Sequence, residues 1–289
     1  MFRIGISGWT YKGWRGRFYP RELRQKDELE FASRAFNSIE INGSFYSMQR
    51  PSSYQQWYDR TPDDFVFAIK GPRFITHMKK LGGVEVALAN FFASGVLCLR
   101  EKTGPFLWQL PPNLGFDAGR LERFFAQLPR DTQAAARIAR GFDERFRGRT
   151  VTESEVDLPL RHCLEVRHPT FLDARFIDLL RAHQIAFVFA DTAGRWPYAE
   201  DLTTDFVYIR LHGAEELYVS GYNDSALDWW ARRIRLWSRS QQPADAKLLA
   251  RRTGEGAKKK DVYVYFDNDA KVQAPGDAAR LAARLGLRQ

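Results

Sequence analysis

Four acids, Glu40, Glu165, Asp191 and Asp267, close short apolar runs, and Lys70, Arg167, Arg210 and His212 stand at or next to the ends of other such runs. Carboxylates beside an imidazole suit general acid–base catalysis, and His212 is of the type that titrates near neutrality. The cations suit an anion, so Lys70, Arg73, Arg167 and Arg210 are expected to hold a phosphate group while Glu165, Asp267 or His212 moves protons. Compact motifs are missing: the chain has no HExxH, no GxGxxG, no Walker sequence and no GxSxG elbow. Ser44 and Ser220 are lone hydroxyls with no relay beside them.

Residues so far apart need a scaffold that collects strand ends. Eight runs rich in β-branched and aromatic residues recur along the chain: 3–9, 38–42, 64–70, 105–110, 162–167, 185–191, 206–212 and 261–267. Side chains alternate faces along a strand, so Glu40 shares a face with Ser38, Lys70 with Ala68, Gln109 with Leu107, and Arg210 with Tyr208 and His212. The same rule puts Glu165 with Cys163 and Arg167, Asp267 with Tyr265, and Asp191 with Phe189 against Val188 and Ala190. An open parallel sheet would be apolar on both parities of its central strands. One apolar and one increasingly polar parity predicts a single (β/α)8 TIM-type barrel over residues 1–289, its site at the C-terminal mouth.

Helical periodicity falls between several of these runs, at 171–183, at 227–237 and over the last residues behind Pro275. In 227–237, Leu227, Trp230, Ile234 and Trp237 share the apolar face and Arg232, Arg233 and Arg235 lie away from it. Residues 130–159 and 239–260 break the rhythm and read as insertions within one domain. Two distant cysteines, Cys98 and Cys163, suggest neither a disulfide framework nor a thiolate metal site. The sequence has no signal-peptide pattern and no membrane span, so a cytoplasmic protein is expected. The net charge of +9 favours anionic partners, a small molecule or nucleic acid.

The stretches GISGWTYKGWRGRFYP, SIEINGSFY, FVFAIKGPRFITH, QLPP, LEVRHPTF, FVYIRLHG, YVSGY and VYVYFDND, in this order, closely resemble the motifs of the YecE-like family, a domain-of-unknown-function family. The resemblance spans nearly the whole chain and implies a single TIM-type barrel without supplying a substrate. It implies site positions at Trp9, Glu40, Asn42, Tyr46, Lys70, His77, Gln109, Glu165, Arg167, His168, Asp191, Arg210, His212, Tyr222, Asp267 and Asn268. Ser44 stands where the family pattern has Thr, and 239–260 is longer than the pattern.

The loops behind the first three strands, 9–20, 42–51 and 70–82, carry eight cations and no acid, whereas 165–175, 191–200, 210–224 and 267–275 sum to −4. Trp9, Tyr11, Trp14, Phe18, Tyr19, Phe45 and Tyr46 interleave the basic loops, and aromatic faces among Lys and Arg suit a phosphate carrying a base or sugar. Some of these rings are expected to do no more than pack the lid. The leading expectation is an enzyme, a hydrolase of the phosphodiester class, acting on a nucleotide, a nucleic acid or another phosphate-bearing ligand, with no metal and its cofactor unknown. A metal-dependent sugar isomerase or lyase using Glu40, Glu165, Asp191 and Asp267 is one alternative. A nucleic-acid-binding barrel whose mouth charges only hold one another is the other.

Overall fold

The eight apolar runs become eight parallel strands: β1 Phe2–Ser7, β2 Ser38–Ile41, β3 Val66–Lys70, β4 Thr103–Gln109, β5 His162–Glu165, β6 Ile185–Asp191, β7 Phe206–Leu211 and β8 Asp261–Phe266. They pair in sequence order, and β8 closes on β1 with Ile4 opposite Val264 and Ile6 opposite Phe266. The computed structural model describes residues 1–251 and 258–287; the predicted 239–260 insertion therefore lies partly outside the described residues.

Alternation separates two apolar layers. Ile4, Ile6, Ile39, Ile41, Phe67, Ile69, Phe106, Trp108, Leu164, Ile209, Leu211, Val264 and Phe266 pack outward against the helices. Ala68, Leu107, Cys163, Ala186, Val188, Ala190, Phe206, Tyr208, Tyr263 and Tyr265 fill the barrel. An added Cβ at Gly5 would sit 1.8 Å from the Ser38 carbonyl oxygen, so the approach of β1 to β2 requires glycine. Between the pairs Phe67–Thr103 and Ile69–Phe106, β4 carries one extra residue at Gly104–Pro105. This bulge sets Leu107 opposite Lys70 and leaves both on the inward face.

The helices outside are α1 Glu28–Ala35, α2 Gly43–Tyr46, α3 Pro51–Asp59, α4 Glu85–Ala93, α5 Ala118–Gln127, α6 Thr132–Ala139, α7 Ala174–Ala182, α8 Asp224–Ser238 and α9 Ala274–Arg284. Local chemistry starts several of them: Asp117, Asp131, Asp173 and Asn223 accept backbone N–H bonds as N-caps of α5, α6, α7 and α8, and Pro51 opens α3. The 130–159 segment contributes α6, packed on α4.

One helix of the eightfold pattern is replaced: residues 192–205, between β6 and β7, form none. The segment behind α8 is tied to this loop by Glu200 N–H to Lys247 O at 2.8 Å and by Leu249 N–H to Asp201 Oδ2 at 2.8 Å. Arg233 is part of the fastening. It was expected on the exposed face of its helix, but it is buried, 2.7 Å from Glu200 and 2.6 Å from Asp245, because the covering loop brings carboxylates to that face.

Candidate functional site

The C-terminal ends of β2, β5, β7 and β8 converge on the guanidinium of Arg210, which is fully buried. Its Nε and Nη2 donate to Glu40 at 3.0 and 2.9 Å, Nη1 donates to Glu165 at 2.7 Å, and Nη2 also reaches Asp267 at 2.9 Å. Both oxygens of Glu40 and of Glu165 accept further hydrogen bonds. Tyr208 Oη and Ser7 Oγ donate to Glu40 at 2.6 and 2.9 Å, and Gln109 and Arg167 donate to Glu165 at 2.9 and 3.0 Å. Burial pushes the Glu165 and Asp267 carboxyls up, but Arg210 and the neighbouring cations win, holding Glu165 well below the usual carboxylate range and Asp267 at about 2. Arg210 is thus a saturated hub. It has no free edge for the phosphate that the sequence reading assigned to it, because three carboxylates converge where one was needed.

His212 lies above this hub, fully buried. Nε2 accepts from Arg210 Nη1 at 3.2 Å, which puts the proton of the neutral ring on Nδ1. Nδ1 is 3.1 Å from Asp267 Oδ2 but off the line of a good hydrogen bond, so it remains unsatisfied. Burial, then Arg210, lower the His212 pKa against the pull of Asp267. Asn42 Oδ1 and Asn268 Oδ1 are also buried without a hydrogen-bond partner among the described residues.

The β3 side has a different character. Lys70 is buried at the end of β3, its backbone held by Ser44 Oγ on Lys70 O at 2.6 Å. Its Nζ lies 4.3 Å over the Phe45 ring and makes no ion pair among the described residues. Burial, then the charge of Arg210, bring Lys70 down to about 8 despite Glu40, Asp267 and Glu165. His77 abuts the same Phe45 ring at 5.1 Å and bonds Thr76 Oγ1 at 2.9 Å. Burial lowers His77 to about 4, and Arg167, Lys70 and Arg73 add to the effect. Lys70 and His77 thus share the Phe45 ring, and the charges of Arg167, Lys70 and Arg73 all act on the neutral imidazole. Arg73 itself is exposed, and Arg167 spans from Glu165 to Tyr218 Oη at 3.2 Å with its guanidinium 3.7 Å from the Trp196 ring centre. Arg167, Trp196, Arg195, Thr192, Glu216 and Tyr218 border an open cleft of about 680 Å³.

Other predicted positions fall elsewhere. The inward residues of β6 are Ala186, Val188 and Ala190, so Asp191 shares a parity with Phe189, as the alternation grouped them, but that parity faces outward, opposite Leu211, which corrects the expectation that Asp191 joins the inward acids. Val188, Phe189 and Ala190 are apolar on both faces and give that reading nothing to choose with. Asp191 accepts from Tyr222 Oη at 3.0 Å, and Tyr222 in turn accepts from Gly213 N–H at 3.1 Å. Asn268 donates to Asp277 at 2.8 Å and Ser220 O at 3.0 Å, which ties β8 to α9. His168 caps the turn 169–171 by accepting from Thr170 N–H at 3.3 Å. Trp9 packs edge-on against Trp57 at 5.2 Å, and Tyr46 is 70% exposed. Trp14 and Tyr19 are buried, Phe18 stacks on Phe36, and Arg15 pairs with buried Glu28 at 2.9 Å. Most of the basic, aromatic first loop is therefore lid packing.

Several mouth residues escaped the sequence reading. Tyr208 and Ser7 share the parity of Arg210 and Glu40 and were visible in that pattern. Asp269 follows Asp267 by two, accepts from Trp14 Nε1, and is raised by burial to about 6. Trp196 and Tyr218 come from loops without periodicity. Tyr218 holds a left-handed backbone at φ +65 and Ala193 at φ +51, both beside Arg167 in the cleft. Non-glycine residues held this way cost of order 1–3 kcal/mol and concentrate at functional sites.

Among the described residues, no group of three His, Cys, Asp or Glu is arranged around a space that could hold a metal ion, and no helix is long and apolar enough to cross a membrane. Solved structures share the architecture. A DUF72 family protein of Thermotoga maritima superposes with a TM-score of 0.74 at 24% identity over 99% of both chains. One of Enterococcus faecalis gives 0.71 at 15% identity over 100% of this chain and 97% of the other. The curated UPF0759 protein YecE of Escherichia coli is 24% identical over 252 residues, 84% of each chain. The model of the family "Protein of unknown function DUF72" matches residues 3–289, and the chain belongs to that family.

Proposed function

We propose that this barrel is a cytoplasmic enzyme acting on a phosphate-bearing ligand, bound at the C-terminal mouth on the β3–β5 side. The observation that carries the reading is the set of cations around His77: Lys70, Arg73 and Arg167, of which Lys70 and Arg73 have no carboxylate partner among the described residues. A dianionic phosphate would satisfy charges that the fold leaves uncompensated, and neutral His77 could add a hydrogen bond. The Trp196 face and Tyr218 hydroxyl suit a sugar or base attached to that phosphate. Asp267, ionised, and Asp269, raised to about 6, are two carboxyls in one mouth whose environments drive them apart, a pattern that suits a base and an acid. Free Cys98 and Cys163 fit a reducing compartment.

The metal-dependent isomerase or lyase has less support, since Glu40, Glu165 and Asp267 all accept hydrogen bonds from Arg210, which a metal would have to displace. Titration calorimetry with inorganic phosphate, pyrophosphate, AMP and ribose 5-phosphate tests the proposal. Binding weakened at least tenfold by Arg167→Gln or Arg73→Gln supports it. The absence of binding by all four ligands would sink it, and salt-sensitive binding of nucleic acid unaffected by these variants would favour the binding-module alternative.

A further inference from the structure

Lys70 is the one mouth cation that is both buried and free of an ion pair among the described residues, and a phosphate clamp does not require such burial. We propose that Lys70 is a covalent nucleophile, forming an imine with the carbonyl carbon of a small phosphorylated aldehyde or ketone. This deepens the phosphate-binding reading and rests on it.

The geometry sets the chemistry. An amine buried above the Phe45 ring, with no ion pair among the described residues to clamp its proton, presents its lone pair once deprotonated. Burial, and then the permanent positive charge of Arg210 in the same mouth, disfavour the ammonium form against the opposing pull of Glu40, Asp267 and Glu165. Ser44 anchors the backbone of Lys70, and Gly71 N–H to Leu107 O at 2.8 Å fixes the next residue, so the amine has a defined origin. Gly71 is obligatory there: an added Cβ would lie 2.4 Å from the Trp108 ring.

In the step, Nζ adds to the carbonyl carbon, forming the C–N bond as the C=O π pair moves to oxygen. The added amine passes a proton to the alkoxide oxygen, giving a carbinolamine. Protonation and loss of the hydroxyl as water leaves the iminium, which returns that borrowed proton by losing its N–H to give the imine, so both hydrogens of the amine leave in one water. Nothing is oxidised or reduced. The phosphate of the same molecule would lie toward Arg167, Arg73 and His77, beside the Phe45 ring that Lys70 and His77 share. An imine at this point acidifies the neighbouring C–H bonds, so the reaction class is carbon–carbon or carbon–hydrogen bond chemistry next to a carbonyl.

The experiment is reductive trapping. The full-length protein at about pH 8 is mixed with dihydroxyacetone phosphate or glyceraldehyde 3-phosphate, treated with sodium borohydride, and read by intact mass and peptide mapping. The expected result is one reduced adduct on the Lys70 peptide, lost in Lys70→Arg and in Lys70→Met, with both variants keeping the wild-type circular dichroism spectrum. Labelling by unphosphorylated dihydroxyacetone should be much weaker. Adducts spread over surface lysines and unchanged in Lys70→Arg would overturn the proposal, as would phosphate-dependent binding in calorimetry with no adduct. The latter result leaves the phosphate reading standing. Loss of both binding and adduct overturns both.

Discussion

Arg210 Nη1 donates to Glu165 Oε2 at 2.7 Å, and both side chains are almost completely shielded from water. A pair at that depth is tolerated because every other donor and acceptor on it is also engaged. The stability of the mouth therefore depends on the whole set rather than on the pair.

Replacing Arg210 should be among the most damaging single changes in the chain. Arg210→Met leaves Glu40, Glu165 and part of Asp267 buried without their shared cation, at a cost of about 3–5 kcal/mol in urea unfolding. Arg210→Lys should recover only a small part, since one ammonium cannot reproduce a fork that meets three carboxylates. Near wild-type stability in Arg210→Met would contradict the hub.

Acid stability should follow Asp267. Its folded pKa of about 2 lies below the usual carboxylate value near 3.9, so the unfolded state takes up protons first as pH falls. The stabilisation is complete above about pH 4 and is lost as pH falls toward 2, amounting to about 2–3 kcal/mol. Asp267→Asn should flatten the stability profile between pH 4 and 2, measured by thermal melts across that range.

Lys70 should act in the opposite sense. Its folded pKa of about 8 is below the usual lysine value near 10.4, so between these limits the unfolded state binds the extra proton and stability rises with pH. Below pH 8 the native state bears the full penalty. Lys70→Met should therefore be more stable at pH 7 by of order 2 kcal/mol and should lose the rise between pH 8 and 10. A buried group that destabilises the fold is expected at a working site.

Phosphate binding should also depend on Lys70. A bound dianion raises the amine pKa, so the complex takes up a proton and affinity falls as pH climbs through about 8. Calorimetry in buffers of different ionisation enthalpy would detect that proton uptake. Proton exchange unchanged in Lys70→Met would assign it to another group.

Gly213 follows His212 at φ +124, and an added Cβ would lie 2.4 Å from Glu216 O. Gly213→Ala should lower stability by about 1–3 kcal/mol. It should also disturb the Tyr218 N–H bond to His212 O, which is 2.5 Å long, so the tyrosine emission of the mouth region and ligand affinity would change with it.

The barrel and most of the inward polar set were readable from the sequence because both rest on local alternation. A strand with Ile on one parity and Glu, Lys or Arg on the other declares its faces, which is how Glu40, Lys70, Glu165, Arg210 and Asp267 came out together. Where both parities are apolar, as in Val188, Phe189 and Ala190, the rule is silent, and only pairing with β7 shows Asp191 facing outward. Arg233 was misread for a related reason: helical periodicity describes a face, while Glu200 and Asp245 reach that face from distant segments.

What the sequence determined by itself was a kind of chemistry, charged groups gathered at one end of a barrel. Tertiary structure alone decided the division of labour among them. Arg210 and Lys70 are both cations on inward parities, but the strands meeting at Arg210 bring three carboxylates, while Phe45 is what meets Lys70. Charge type is written in a single residue. Whether that charge is neutralised or left available depends on which distant side chains the fold delivers within a few ångströms of it.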